Sequence, residues 1–204
     1  MSVLTVETPL GPSRLTVHPA AEPRAVLVLG HGAGGGIGAF DLVALAVELP
    51  RRGIAVVLHE QPWRVAGKRI AVRPPMLDEG WRPALDVVLA LFPGLSLWVG
   101  GRSAGARVAC RCFDERQAGV VCLAFPLHPP GKPEASRIAE LAGVAGPVLV
   151  VQGERDPFGS PDDVRTAAEQ AGGAQPQIVA VPGVHSFNRG AVPRVVAAVA
   201  GFLT

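Results

Sequence analysis

The stretch Leu95-Ser96-Leu97-Trp98-Val99-Gly100-Gly101-Arg102-Ser103-Ala104-Gly105 decides how the chain is read. A mostly apolar run ends in glycines, a serine stands at the apex, and residues 106–117 then carry a helical pattern. G-x-S-x-G between a strand and a helix is the pattern of a nucleophile elbow. Its logic is steric. A tight strand-to-helix turn lifts the serine hydroxyl clear of the sheet in a strained backbone conformation. Side chains two residues to either side would collide with the neighbouring chain, so Gly101 and Gly105 fill those positions. The hydroxyl then lies at a helix N-terminus, where partial positive charge favours a developing oxyanion. Five residues can match by chance in a chain with 25 glycines. The strand–turn–helix setting gives the match its weight.

Outward from the elbow, strand and helix signals alternate. Residues 25–29, 54–58, 120–125, 148–151 and 178–181 are continuously apolar, as strands buried on both faces are. Helical patterns fill residues 40–49, 77–91, 106–117, 134–141 and 192–203. In the second of these, Leu77, Trp81, Leu85, Val88 and Phe92 share one stripe. Ser160-Pro161-Asp162-Asp163 opens a further helix: cap, proline at the first position, acids in the first turn. Residues 3–6 and 15–17, separated by Gly11-Pro12, predict an N-terminal hairpin, and residues 61–75 and 126–133 predict proline-rich loops. The expectation is one α/β domain over residues 1–204, a mostly parallel sheet with helices on both faces. Residues 126–147 must already hold a helix, so no lid domain fits there.

Composition narrows the rest. Apolar residues are 49% and charged residues 18%, the reverse of a disordered chain. A net charge of +2 gives no bulk electrostatic case for nucleic acid. All basic residues but Lys68 and Lys132 are arginines, which codon usage explains before function does. Mean hydropathy is high at +0.33, yet glycine, proline or polar residues break every run before membrane-spanning length. The first residues lack the charged and apolar regions of a secretory signal. Cys110, Cys112 and Cys122 are odd in number and lack metal spacing. No metal, cofactor, nucleic acid or membrane is expected, and a cytoplasmic location follows as the default. A protein partner is not readable.

A serine hydroxyl needs a base, and the base needs an orienting group. Ser103 follows one predicted strand, Asp156 the strand at 148–151, and His185 the strand at 178–181. All three therefore face the carboxyl edge of the sheet, where parallel α/β sheets carry their sites. The order Ser103, Asp156, His185 is the one used by α/β-hydrolases. Glu154 is the fallback for the acid, while Asp162 and Asp163 are better explained as helix N-terminal charges. Backbone N–H groups of Ala33 and Ala104 are the candidate oxyanion donors. His31, Trp63, His128 and Phe158 follow strands or sit in loops where they could line the cleft. Gly30-His31-Gly32-Ala33-Gly34-Gly35 also fits a dinucleotide fingerprint, with Glu60 as its acid. That acid comes too late, and the reading leaves Ser103, Asp156 and His185 unexplained.

Four strings together resemble one family: Gly30–Gly35, Gly100–Val108, Phe125–Glu134 (Phe125-Pro126-Leu127-His128-Pro129-Pro130-Gly131-Lys132-Pro133-Glu134) and Val151–Gly159, with His185-Ser186-Phe187. They are similar to the small α/β-hydrolase family that includes testis-expressed protein 30 and the hydrolase-like domain of a histone-acetyltransferase complex subunit. Dienelactone hydrolases look like more distant relatives, with their cysteine nucleophile replaced here by Ser103. The resemblance implies an α/β-hydrolase fold and a Ser103–Asp156–His185 triad acting on a small ester, thioester or lactone. It also leaves room for a hydrolase-fold scaffold, since some members act in assemblies. The cleft is expected to be walled by residues 62–75, 126–133 and the Phe158 turn.

Overall fold

The apolar runs form the middle of the sheet. Strands β3 (Ala25–Gly30), β4 (Ile54–Glu60), β5 (Ser96–Arg102), β6 (Gly119–Leu123) and β7 (Val148–Gly153) are parallel. β8 (Gln177–Val181) extends them at one edge, and the antiparallel hairpin β1 (Ser2–Val6) and β2 (Ser13–His18) covers the other. The order is β1-β2-β4-β3-β5-β6-β7-β8. This is a computed structural model and describes residues 1–203.

Among the described residues there are seven α-helices, six between strands and one after the last: α1 (Phe40–Glu48), α2 (Pro62–Val65), α3 (Pro74–Leu91), α4 (Ala104–Arg111), α5 (Ile138–Ala142), α6 (Pro161–Ala171) and α7 (Val192–Phe202). α1 and α7 pack on one face of the sheet, and α3, α4, α5 and α6 on the other. Each face therefore has its own apolar core, joined only through the strands. Leu77, Trp81, Leu85 and Val88 of the predicted stripe are buried. The capping box at Ser160 is present: its Oγ accepts from the Asp163 N–H, and Asp163 accepts from the Ser160 N–H. At the far end, the Arg24 guanidinium donates to the Leu203 carbonyl at 3.1 Å.

Topology fixes where a site can form. The chain leaves β3 toward β4 but leaves β5 toward β6. β3 and β5 are adjacent, so a crevice opens between the loops at their carboxyl ends. The glycine-rich loop 31–39 forms one side and the serine turn the other. Between β6 and β7 the chain holds only the five-residue α5, so no lid covers the crevice.

Three boundaries differ from expectation. Residues 61–75 are not an irregular loop throughout: Pro62 starts the one-turn α2, and Pro74-Pro75 starts α3. Both begin with proline at a position where the missing N–H costs no helical bond. α4 stops at Arg111 instead of running to residue 117, because the Asp114 N–H donates to Gln117 Oε1 (2.6 Å) and Gln117 Nε2 donates back to Asp114 (3.0 Å), closing a tight turn. Residues 134–137 lie outside α5 because the Arg137 N–H is drawn to the Leu127 carbonyl at 2.7 Å. Among the described residues, no helix is long and apolar enough to cross a membrane.

Candidate active site

Ser103 stands between β5 and α4 with φ 53° and ψ −110°. A non-glycine residue at positive φ is held there only if its surroundings over-determine it. The glycines supply that constraint. A Cβ on Gly101 would sit 2.6 Å from the Gly30 carbonyl oxygen, and one on Gly105 would sit 2.5 Å from the same atom. β3 and the N-terminus of α4 therefore approach more closely than any side chain permits, and the backbone is forced over at Ser103. The Ser103 N–H is anchored to the Leu123 carbonyl at 2.9 Å.

His185 comes from the loop after β8. Its Nε2 accepts from Ser103 Oγ at 2.8 Å, and its Nδ1 donates to Asp156 Oδ2 at 2.8 Å. Asp156, after β7, is buried, and donors surround its carboxylate. Gln152 Nε2 donates to Oδ2 (3.1 Å) and the Phe158 N–H donates to Oδ1 (2.9 Å). With His185 on the same group, the carboxylate has one orientation. Glu154, the alternative acid, is exposed on the surface. Phe158 packs on the His185 ring with centroids 4.3 Å apart. This chain of bonds can move a proton from the serine oxygen to the imidazole and hold the resulting charge against a fixed carboxylate.

The cleft around Ser103 has a volume of about 630 Å³. Ala33 and Ala104 both line it. Among the described residues, neither backbone N–H is taken by an acceptor, so both remain available to an oxyanion. Phe158 also lines the cleft, together with Phe40, Pro126 and Phe187.

The other expected lining residues do not face this cleft, although His31 and Trp63 line a small adjoining pocket that shares Gly32, Ala33 and Ala104 with it. His31 is buried beneath the glycine loop. Its Nδ1 donates to the Gly32 carbonyl (2.9 Å) and its Nε2 accepts from the Gln61 N–H (3.2 Å). Burial pushes its pKa down, which suits the neutral ring those bonds require. Trp63 is buried edge-on against His31, centroids 5.5 Å apart. His128 is turned away: its Nδ1 donates to the Pro129 carbonyl at 3.0 Å, and its N–H donates to the Phe158 carbonyl. Residues 62–75 contribute no wall, because α2 packs Trp63 behind the glycine loop instead of in front of it. Glu60, the acid of the dinucleotide alternative, pairs with Arg14 at 3.1 Å.

Sequence reasoning missed Gln152 and three arginines. Gln152 is fully buried and ties Asp156 to the Phe125 and Gly159 carbonyls. Arg102 sits inside the elbow motif, where the pattern accepts any residue. Its Nη1 donates to both oxygens of buried Asp41 on α1 (3.1 Å each), and its Nη2 donates to the His185 carbonyl at 2.8 Å. Arg107 and Arg137 complete the cationic lining. No metal-binding group of His, Cys, Asp or Glu occurs among the described residues.

A family model described as an alpha/beta hydrolase domain matches residues 23–191. The structure is similar to an α/β serine hydrolase homologue from Coxiella burnetii, with a TM-score of 0.81 and 21% identity over 100% of this chain and 97% of that one. It is similar to a lidless α/β serine hydrolase from Xanthomonas campestris (TM-score 0.76, 22% identity, 99% and 93% covered). It also resembles a dienelactone hydrolase from Anabaena variabilis (TM-score 0.79, 17% identity, 99% and 95% covered). At these identities the likeness to solved structures speaks for the fold. No curated protein matches the chain.

Proposed function

The chain belongs to the alpha/beta hydrolase domain family, and from that premise we propose that it is a serine hydrolase cleaving a small ester, thioester or lactone through an acyl-enzyme. The observation that carries this reading is the pair of 2.8 Å bonds linking Ser103, His185 and Asp156 at the floor of an open cleft. Ser103 Oγ attacks the carbonyl carbon while His185 Nε2 takes the hydroxyl proton. Asp156 keeps the imidazole in the required tautomer and balances its charge. The Ala33 and Ala104 N–H groups receive the carbonyl oxygen as it becomes an oxyanion. The tetrahedral intermediate then expels the alcohol or thiol, which leaves with the proton from His185. A water molecule repeats the sequence on the acyl-enzyme and releases the acid. No cofactor enters this scheme.

The hydrolases among the structural neighbours support the reaction class. The string from Phe125 to Glu134 supports placing the chain beside testis-expressed protein 30 within the family. Cys110, Cys112 and Cys122 are all free and buried, as suits a reducing, cytoplasmic compartment. The test is covalent labelling with a fluorophosphonate, read by peptide mass spectrometry. Ser103 is expected to carry the adduct, and Ser103→Ala to abolish it. A folded protein with no adduct, or with one elsewhere, overturns the proposal.

A further inference from the structure

Among the residues lining the cleft there are three arginines and no aspartate or glutamate. Two of the arginines are already matched. Arg102 is held by Asp41. Arg107 makes a two-pronged pair with Glu140, Nε to Oε2 at 2.7 Å and Nη2 to Oε1 at 2.6 Å. Arg137 differs. Among the described residues it forms no ion pair, and its guanidinium has one long contact, Nη1 to the Pro126 carbonyl at 3.4 Å. Glu140, one turn along the chain, forms no ion pair or hydrogen bond with it and is turned to other arginines. Both Glu140 oxygens are engaged by Arg107, and Oε1 also accepts from Arg111 at 3.2 Å. Partly buried charges are ordinarily paired, so an unmatched guanidinium in a cleft wall calls for an acidic partner from outside.

The topology places that partner. The loop after β3, with Ala33, flanks Ser103 on one side, and the segment after β6, with Pro126 and Arg137, flanks it on the other. Pro126, Phe158 and Arg137 line the same cleft as Ser103, Ala33 and Ala104, so a substrate whose carbonyl oxygen meets the Ala33 and Ala104 N–H groups shares that cleft with the Arg137 guanidinium. We propose, resting on the hydrolase reading above, that Arg137 is an anion-recognition residue and that the substrate is an acidic ester, its carboxylate held by Arg137 while its carbonyl lies at Ser103. Arginine suits this task because its planar fork matches a carboxylate. The surroundings agree: burial, and then Arg107, push the Arg137 guanidinium below its ordinary value, with Glu140 offsetting only in part.

The experiment compares 4-nitrophenyl butyrate with two acidic esters. Mono-4-nitrophenyl glutarate carries the acid on the acyl chain, and 3-carboxy-4-nitrophenyl butyrate carries it on the leaving phenol. For one of the acidic esters, kcat/KM is expected to exceed that of the neutral ester by about tenfold, the scale of one charge-assisted hydrogen bond. Arg137→Gln should lower the acidic-to-neutral ratio by about the same factor, Arg137→Lys should recover part of it, and Arg137→Glu should invert the preference. Titration with glutarate and with neutral glutaramide, followed by backbone amide NMR, reads the subsite without turnover. Glutarate alone should perturb residues 126–138 of the native protein. A ratio near one in the native protein, a ratio unmoved in Arg137→Gln, or equal perturbation by glutarate and glutaramide overturns the proposal. Cleavage of the neutral ester with no glutarate binding removes the anion subsite and leaves the hydrolase. Glutarate binding at Arg137 with no ester cleaved removes the hydrolase and leaves the subsite.

Discussion

Replacing Arg102 by methionine should cost both stability and turnover. Asp41 is fully buried, the Arg102 side chain is 12% exposed, and the guanidinium bridges the Asp41 carboxylate and the His185 carbonyl. Removing one member of a buried pair strands the other charge, at about 3–5 kcal/mol. The outer edge of Arg102 reaches water, so the lower end, about 3 kcal/mol, applies. For a chain of this length that corresponds to a fall in Tm of about 6–12 °C. The His185 loop also loses its tether, so kcat should fall more than KM rises. Urea unfolding at pH 7, arranged as a double-mutant cycle with Asp41→Leu, gives the measurement. Arg102→Met/Asp41→Leu should be more stable than Arg102→Met alone, because the stranded carboxylate is gone. A loss below about 1 kcal/mol for the single variant, or a double variant less stable than it, would refute the reasoning.

Gly105→Ala should lower Tm by several degrees and slow phosphonate labelling of Ser103, since its Cβ would meet backbone at 2.5 Å; an unchanged labelling rate would show that the elbow has slack. Asp156→Asn should reduce kcat by about 10⁴-fold, and Asp156→Asn/His185→Ala should cost no more than His185→Ala alone, because the residues act as a unit; additive losses would separate them. His59 is fully buried, and burial first, then His31, lowers its pKa to about 3. The unfolded chain, with histidine near 6.5, binds that proton more readily, so stability is complete above pH 6.5 and is lost as pH falls toward 3. Between pH 7.5 and pH 5 the loss is about 2 kcal/mol, and His59→Phe should flatten that part of the pH profile in urea unfolding; an unchanged slope contradicts the assignment.

The elements legible in the sequence were those set by local covalent rules. Continuous apolar runs gave the parallel strands, Ser160-Pro161 gave its capped helix, and two glycines around Ser103 gave the turn. Asp156 and His185 were legible because strand ends converge on one sheet edge. The early end of α4 and the late start of α5 were not, since each depends on a competing hydrogen bond, one of them to residue 127. The histidines misled for a related reason. His31 and His128 follow strands, but the direction of each ring is set by bonds to nearby backbone. The cleft arginines gave no signal, because in a chain where arginine supplies nearly all the positive charge no single one stands out. Which of them is left unmatched is decided by Glu140, whose pairing spans 33 residues to Arg107.

The contact between Arg24 and Leu203 joins residues 179 apart in sequence. The point where the chain enters β3 and the point where it leaves α7 are thus one arginine side chain apart, and the path from 24 to 203 is almost a closed ring. Among the described residues, all six parallel strands and all seven α-helices lie on that ring. The hairpin of β1 and β2 lies off it, as an appendage to a circuit already complete. Its role is then one of shielding. β4 is an apolar strand buried along its length, and without β2 beside it the ring would present that strand as an open edge, the surface on which sheets of separate molecules join. At the opposite edge, β8 is short and half-exposed. The ring carries the residues of the cleft, and the hairpin moves the edge of the sheet from the buried β4 to the largely exposed β1.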